Sequence, residues 1–129
     1  MPLRPDLPET CPPARDVDIP QNVGRLLYGV VPTQSDFIDW IDEPGNGNRQ
    51  VKISECQKKS MSVFDIDSSY LLDVFRKVPK MRMKYKYYAV IAVELDSGIL
   101  AKTSGPGHIS WWKCRAWNPI VKILNVVEL

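Results

Sequence analysis

Eleven prolines set the terms on which this 129-residue chain can fold. Six of them, Pro2, Pro5, Pro8, Pro12, Pro13 and Pro20, fall within the first twenty residues. Proline fixes φ and removes a backbone donor, so this stretch forms neither a helix nor a central strand. Residues 1–20 therefore read as an extended, partly polyproline-like arm, set apart from a single domain over residues 21–129. The arm is either a loose tail or a strap lying along the domain or a partner, and Leu3, Leu7, Val17 and Ile19 give it apolar contacts for the second role. The remaining prolines, Pro32, Pro44, Pro79, Pro106 and Pro119, cut the body into short elements.

Between those breaks, Arg25 to Val31 is rich in strand formers and stops at Pro32. Thr33 or Ser35 can cap a short helix carrying Phe37, Ile38, Trp40 and Ile41. Pro44-Gly45-Asn46-Gly47-Asn48 is a loop. Val51–Ser54 and Met61–Asp65 read as short strands. Ser68 caps a helix over Ser69–Lys77, which Pro79 is expected to end. From Met81 to Glu94 apolar and polar residues alternate, the period-two signature of one long strand. Asp96-Ser97-Gly98 reads as a hairpin turn into Ile99–Thr103. His108–Trp117 and Ile120–Leu129 complete a four-strand meander. The last strand is apolar on both faces, which places it centrally. The pattern predicts an α+β fold: one twisted, mainly antiparallel sheet, one or two short helices on one face, and the Pro-rich N-terminal arm.

Hydrophobic content of 44% and charged content of 25% are ordinary globular values, and the net charge of +2 implies no polyelectrolyte role. The longest apolar run, Ala89–Val93, is too short to span a bilayer. The N-terminus lacks the apolar core of a signal peptide, so a cytoplasmic protein with no membrane association is expected. Cys11, Cys56 and Cys114 form no C-x-x-C pair, and the single histidine cannot complete a usual zinc set. Three free thiols in a reducing compartment, no metal site and no cofactor are the reading.

Charge is nonetheless uneven. Residues 76–86 carry Arg76, Lys77, Lys80, Arg82, Lys84 and Lys86 with no acid, leaving 11 basic against 15 acidic residues elsewhere. The segment Asp36–Glu43 holds four acids and no base. Cations interleaved with Tyr85, Tyr87 and Tyr88 suggest a single-stranded nucleic-acid surface, with Lys84 and Lys86 for phosphate and Tyr88 for stacking. The plainer explanation is the solvated face of a strand whose other tyrosines point into the core.

The candidate site is Ser104-Gly105-Pro106-Gly107-His108-Ile109-Ser110-Trp111-Trp112, which holds the only histidine and half of the four tryptophans. A turn needing two glycines precedes a group that titrates near neutrality. His108 and Ser110 are binding candidates, with Trp111 and Trp112 on opposite strand faces, one in the core and one exposed or covered. Trp117 shares its face with Trp111. His108 is at least as readily a hydrogen-bonded structural group. Ser62 and Asp65 either join a polar cluster or serve a turn. No phosphate loop, paired-carboxylate signature, H-E-x-x-H or nucleophile elbow is present, so no catalytic residue is assigned.

Leu27-Tyr28 with Val30 or Val31 and Pro32, then Ser60–Asp65, then Pro106-Gly107-His108-Ile109 occur in a fixed order. This resembles small stand-alone bacterial proteins with the pattern L-Y-x-x-V-x-P, S-V-[YF]-D and P-x-H-[AI], over about residues 26–110. Gly29 stands where an arginine would follow Leu-Tyr. The resemblance implies a bacterial or phage accessory protein in the cytoplasm and supplies no activity. Together these features point to a small non-enzymatic binding protein for a macromolecular partner, of the immunity, antitoxin or phage counter-defence type. The protein partner is the leading expectation. The alternatives are a single-stranded nucleic-acid binder using residues 76–88 and a divergent enzyme centred on His108.

Overall fold

Six strands build one antiparallel sheet: β1 (Asn22–Leu27), β2 (Met61–Asp65), β3 (Tyr87–Ala92), β4 (Gly98–Lys102), β5 (His108–Lys113) and β6 (Ile123–Glu128). Their spatial order is β4-β5-β2-β1-β3-β6. The helices are α1 (Glu55–Lys58), α2 (Ser69–Lys77) and α3 (Pro79–Lys84). The structure is a computed structural model that describes residues 2–46 and 51–129; the expected loop positions Gly47 and Asn48 lie outside the described residues. The fold is α+β with a single antiparallel sheet.

Register separates the two faces. Val23, Leu27, Met61, Val63, Ala89, Ile91, Leu100, Ile109 and Trp111 share one face and form the buried core. Ile19 from the arm, Phe37, Trp117 and Ile120 close over it. The tryptophan parity holds: Trp111 is fully buried, its ring 4.4 Å from that of Trp117. The opposite face carries Ser62, Phe64, Tyr88, His108, Ser110 and Trp112, and α1 and α2 contact this side. Phe75 of α2 packs edge-on against Phe64, with ring centroids 5.2 Å apart, and the Trp112 indole donates to the Cys56 carbonyl of α1 at 2.9 Å.

Local chemistry explains where the elements fall. Ser68 caps α2 by accepting from the Leu71 amide at 3.4 Å, and Arg76 and Lys77 close its last turn. Met81–Lys84 is helix, not strand, which corrects the long strand expected over Met81–Glu94. Pro79 does not stop the chain; it sits in the first turn of α3, where its missing donor costs nothing. The helix expected after Thr33 is two short 3-10 turns, Gln34–Asp36 and Trp40–Asp42, the first closed by a capping box between Thr33 and Asp36. Residues 51–54 form no strand and lead into α1. The meander is also corrected. The turn before Gly98 exists, yet β3 pairs with β1 and β6 while β4 pairs with β5 at the far edge. β6 is an edge strand, and the second apolar face that suggested a central position leaves Leu124 exposed.

The arm makes specific contacts. The Asp16 amide donates to the Leu100 carbonyl at 3.2 Å, and the Lys102 amide donates to the Asp16 carboxylate at 2.6 Å, so the arm covers edge strand β4. Arg4 bonds Asp39 at 3.0 Å and Asp42 at 3.1 Å. Cys11 and Cys56 form a disulfide with Cα atoms 5.7 Å apart, and Cys114 is a buried free thiol. The expectation of three free thiols is thereby corrected: the folded arm returns over α1 and brings together two cysteines 45 residues apart.

Gly107 joins the two halves of the site. Its φ is +79°, and a Cβ placed there would stand 2.5 Å from Ser68 Oγ and 3.0 Å from Leu71 Cδ1. Gly107→Ala is expected to lose about 1–2 kcal/mol from the left-handed backbone alone, and more because the Ser68 cap must shift. Urea unfolding measures this, and an unchanged midpoint would contradict it.

Candidate functional site

The site begins with a break in the sheet. β1 pairs with β3 at six positions but with β2 only at Val23↔Asp65 and Gly24↔Phe64. At Arg25 the β1–β2 ladder stops, and the guanidinium of this buried residue occupies the junction. Nε donates to the Asp36 carbonyl and Nη1 to the Ser62 carbonyl, each at 2.7 Å, and Nη2 binds Glu43 Oε1 at 2.7 Å. The other Glu43 oxygen accepts from Asn46 at 3.1 Å. By sequence pattern Arg25 reads only as the start of a strand. A lone cation in an apolar run, followed by four acids, was the available signal.

His108, on β5, faces the same region. Its Nδ1 lies 3.0 Å from Thr103 Oγ1 and 3.1 Å from the Thr103 carbonyl; the carbonyl can only accept, and a proton on Nδ1 satisfies it. Nε2 then presents its lone pair to Ser62 Oγ at 3.2 Å. Thr103 Oγ1 in turn lies 2.6 Å from Ser110 Oγ. Burial pushes the imidazole below its ordinary pKa, against the opposing pull of the Thr103 carbonyl, so the ring is neutral at pH 7. A neutral imidazole oriented on one side and touching a hydroxyl on the other can hold a ligand polar group or accept a proton.

A cavity of about 300 Å³ opens between this network and the α2–α3 pair. Leu26, Phe64, Leu71, Phe75 and Met81 make its apolar walls, and Arg25, Glu43, Ser62, His108, Lys84 and Tyr85 supply the polar groups. Lys84 Nζ stands 5.1 Å from the Tyr85 ring centroid and 5.6 Å from that of Tyr28. Burial raises the Tyr85 hydroxyl, so it remains a neutral donor.

The expected site residues are therefore divided. His108 lines the cavity with Ser62, and Lys84 stands on its rim. Ser110 is fully buried behind Thr103 and does not line it. Trp111 belongs to the core, and Trp112 is covered by α1, near Leu3 and Leu7 of the arm. Lys86 is exposed, on the short link between α3 and β3. Tyr88 is 8% exposed and packs against Phe64, so the expectation that it stacks on a ligand from a basic strand is corrected. The basic segment lies mostly on α2 and α3, and all six of its cations are exposed. Among the described residues none of them joins a salt bridge, whereas Asp39, Asp42 and Glu43 are held by Arg4, Lys113 and Arg25. Asp65 serves its turn, accepting from the Asp67 amide at 2.9 Å. No group of three or more His, Cys, Asp or Glu is placed to hold a metal among the described residues, and no helix is long and apolar enough to cross a membrane.

The lowered His108 pKa fixes the sign of a pH effect. In the unfolded chain the ring takes up a proton near pH 6.5 while the folded ring does not, so folded stability falls as pH drops through that value. The urea midpoint of the wild type is expected to fall more steeply between about pH 7 and pH 5 than that of His108→Gln. Parallel curves for the two proteins would contradict the assignment.

No protein-family model, curated protein or solved structure matches this chain.

Proposed function

We propose that the chain is a small non-enzymatic binding protein that docks an acidic protein partner on the outer face of α2–α3. The observation that supports this reading is the charge arrangement: six exposed cations over residues 76–86 with no acid among them. Beside them stand exposed apolar groups, Met83 at 81% and Tyr28 at 48% exposure. A cationic surround with apolar anchors suits a partner whose carboxylates surround one or two large apolar residues. Masking such a surface is how an immunity, antitoxin or phage counter-defence protein would act. The cytoplasmic location expected from the sequence belongs to this reading as well, and the Cys11–Cys56 bridge counts against it, since such bridges persist chiefly in oxidising compartments.

One contact favours an enzyme centred on His108 as a second reading: the Ser62 hydroxyl on the neutral Nε2 is the geometry of a nucleophile and its base. Covalent labelling of Ser62 by a fluorophosphonate, lost in His108→Gln, would carry that reading; an unlabelled Ser62 would remove it.

The docking reading is tested by fluorescence anisotropy with a labelled Glu/Asp-rich peptide bearing spaced leucines. Binding is expected in the micromolar range, weakening with salt, and falling about tenfold or more in the Arg76→Ala, Lys80→Ala, Arg82→Ala triple variant. A labelled single-stranded oligonucleotide bound more tightly than the peptide would transfer the surface to nucleic acid. Equal binding by the variant would overturn the docking face.

A further inference from the structure

The cavity behind α2–α3 carries a further inference: it shares Lys84 and Tyr28 with the docking face but concerns the inner side of these helices. Its volume, about 300 Å³, matches the smaller end of ligand pockets. At about 30 Å³ per water-sized group it holds about ten non-hydrogen atoms.

Charge decides what kind of molecule fits. Two cations, Arg25 and Lys84, and one anion, Glu43, line the space. Arg25 is committed to Asp36, Ser62 and Glu43, and both Glu43 oxygens are engaged, by Arg25 and Asn46. What remains is the Lys84 ammonium, which has no acid partner among the described residues and is steadied by the rings of Tyr28 and Tyr85. The walls between Lys84 and the Ser62–His108 pair are apolar, with Phe64 and Phe75 fixed edge-on to one another. The inner end carries no free charge, since Arg25 and Glu43 pair with one another and His108 accepts from Ser62 and donates to Thr103.

We propose that this cavity binds a free medium-chain carboxylic acid, its carboxylate on Lys84 beside the Tyr85 hydroxyl and its hydrocarbon body against Phe64, Phe75 and Leu71. A molecule with one negative end and an apolar body satisfies the free cation without leaving an uncompensated charge in the interior. An amine of the same length would bring a second unpaired cation to Lys84, and a dicarboxylate would bury a charge beside Phe64.

Octanoate, with ten non-hydrogen atoms, is the probe, titrated against the intact disulfide-bonded protein by calorimetry, with octanol and octylamine in parallel. Saturable one-site binding of octanoate is expected, at least about fivefold tighter than octanol, with no saturation by octylamine. Lys84→Met keeps the apolar stem and removes the charge; it should bring octanoate down to the octanol affinity while leaving octanol unchanged. Leu71→Trp, which fills the space, should abolish both. Amide shifts in the wild type provide a readout that needs no variant: octanoate should move the resonances of Ser62, Phe64 and His108. Octylamine binding as tightly as octanoate, an unaffected Lys84→Met, or shifts confined to residues outside the cavity would each overturn the proposal.

Discussion

The buried guanidinium of Arg25 is the constraint around which the rest of the structure is arranged. Removing such a charge from water costs several kcal/mol, and each charge-assisted hydrogen bond returns about 1.5–3 kcal/mol. Three contacts at 2.7 Å therefore roughly offset the burial and add little net stability. What they fix is geometry. One side chain ties β1 to the Ser62 carbonyl of β2, to the first 3-10 turn through the Asp36 carbonyl, and to Glu43 beyond the second. It does so where β1 and β2 cease to pair, so the opening in the sheet is held apart by hydrogen bonds and does not close by backbone pairing.

That choice also explains how a chain with net charge of only +2 can present a strongly one-signed surface. The acids of the 36–43 segment are engaged by the fold itself: Asp36 closes a capping box, Asp39 and the more exposed Asp42 hold Arg4, and Glu43 holds Arg25. Lys113 is drawn in as well, its pKa lowered by burial and supported by Asp39 and the Phe37 carbonyl. Of the cations on α2, α3 and the following link, Lys84 borders the cavity, and the others have no such internal duty and face solvent. The uneven charge visible along the sequence thus separates in space into a neutralised seam and an uncompensated outer face.

What could be read from the sequence was local. The Ser68 cap, the span Ser69–Lys77, the strand Met61–Asp65 and the opposed faces of Trp111 and Trp112 all follow from cap chemistry or side-chain alternation, and each is present. Pairing was not legible, because nothing near residues 93–97 records that the chain leaves β3 for the far edge of the sheet. Four residues at Met81–Lys84 fit both the strand and the helix period, and Pro79, a stop by pattern, marks a start. The cavity shows the same division. His108 stood out as the lone histidine beside a two-glycine turn, and both Gly105 and Gly107 have positive φ. Ser62 and Arg25 lie far from it in sequence and reach it only through strand pairing.

The two walls of the cavity are held by unrelated devices. On the sheet side, Arg25 keeps β1 and β2 parted while His108 and Ser62 satisfy one another beneath the gap. On the helix side, Val78 serves both as the C-cap of α2 and the N-cap of α3, and Pro79 lets the chain restart as helix at once. That turn sets Met81, Lys84 and Tyr85 against the same space that Leu71 and Phe75 approach from α2. A void in an ordinary core is closed by relaxation of its neighbours, since lost contacts are unfavourable. Here relaxation is opposed on one side by hydrogen-bonded charges and on the other by a proline-fixed corner, so the space persists for reasons unconnected with the stability of the core beneath it.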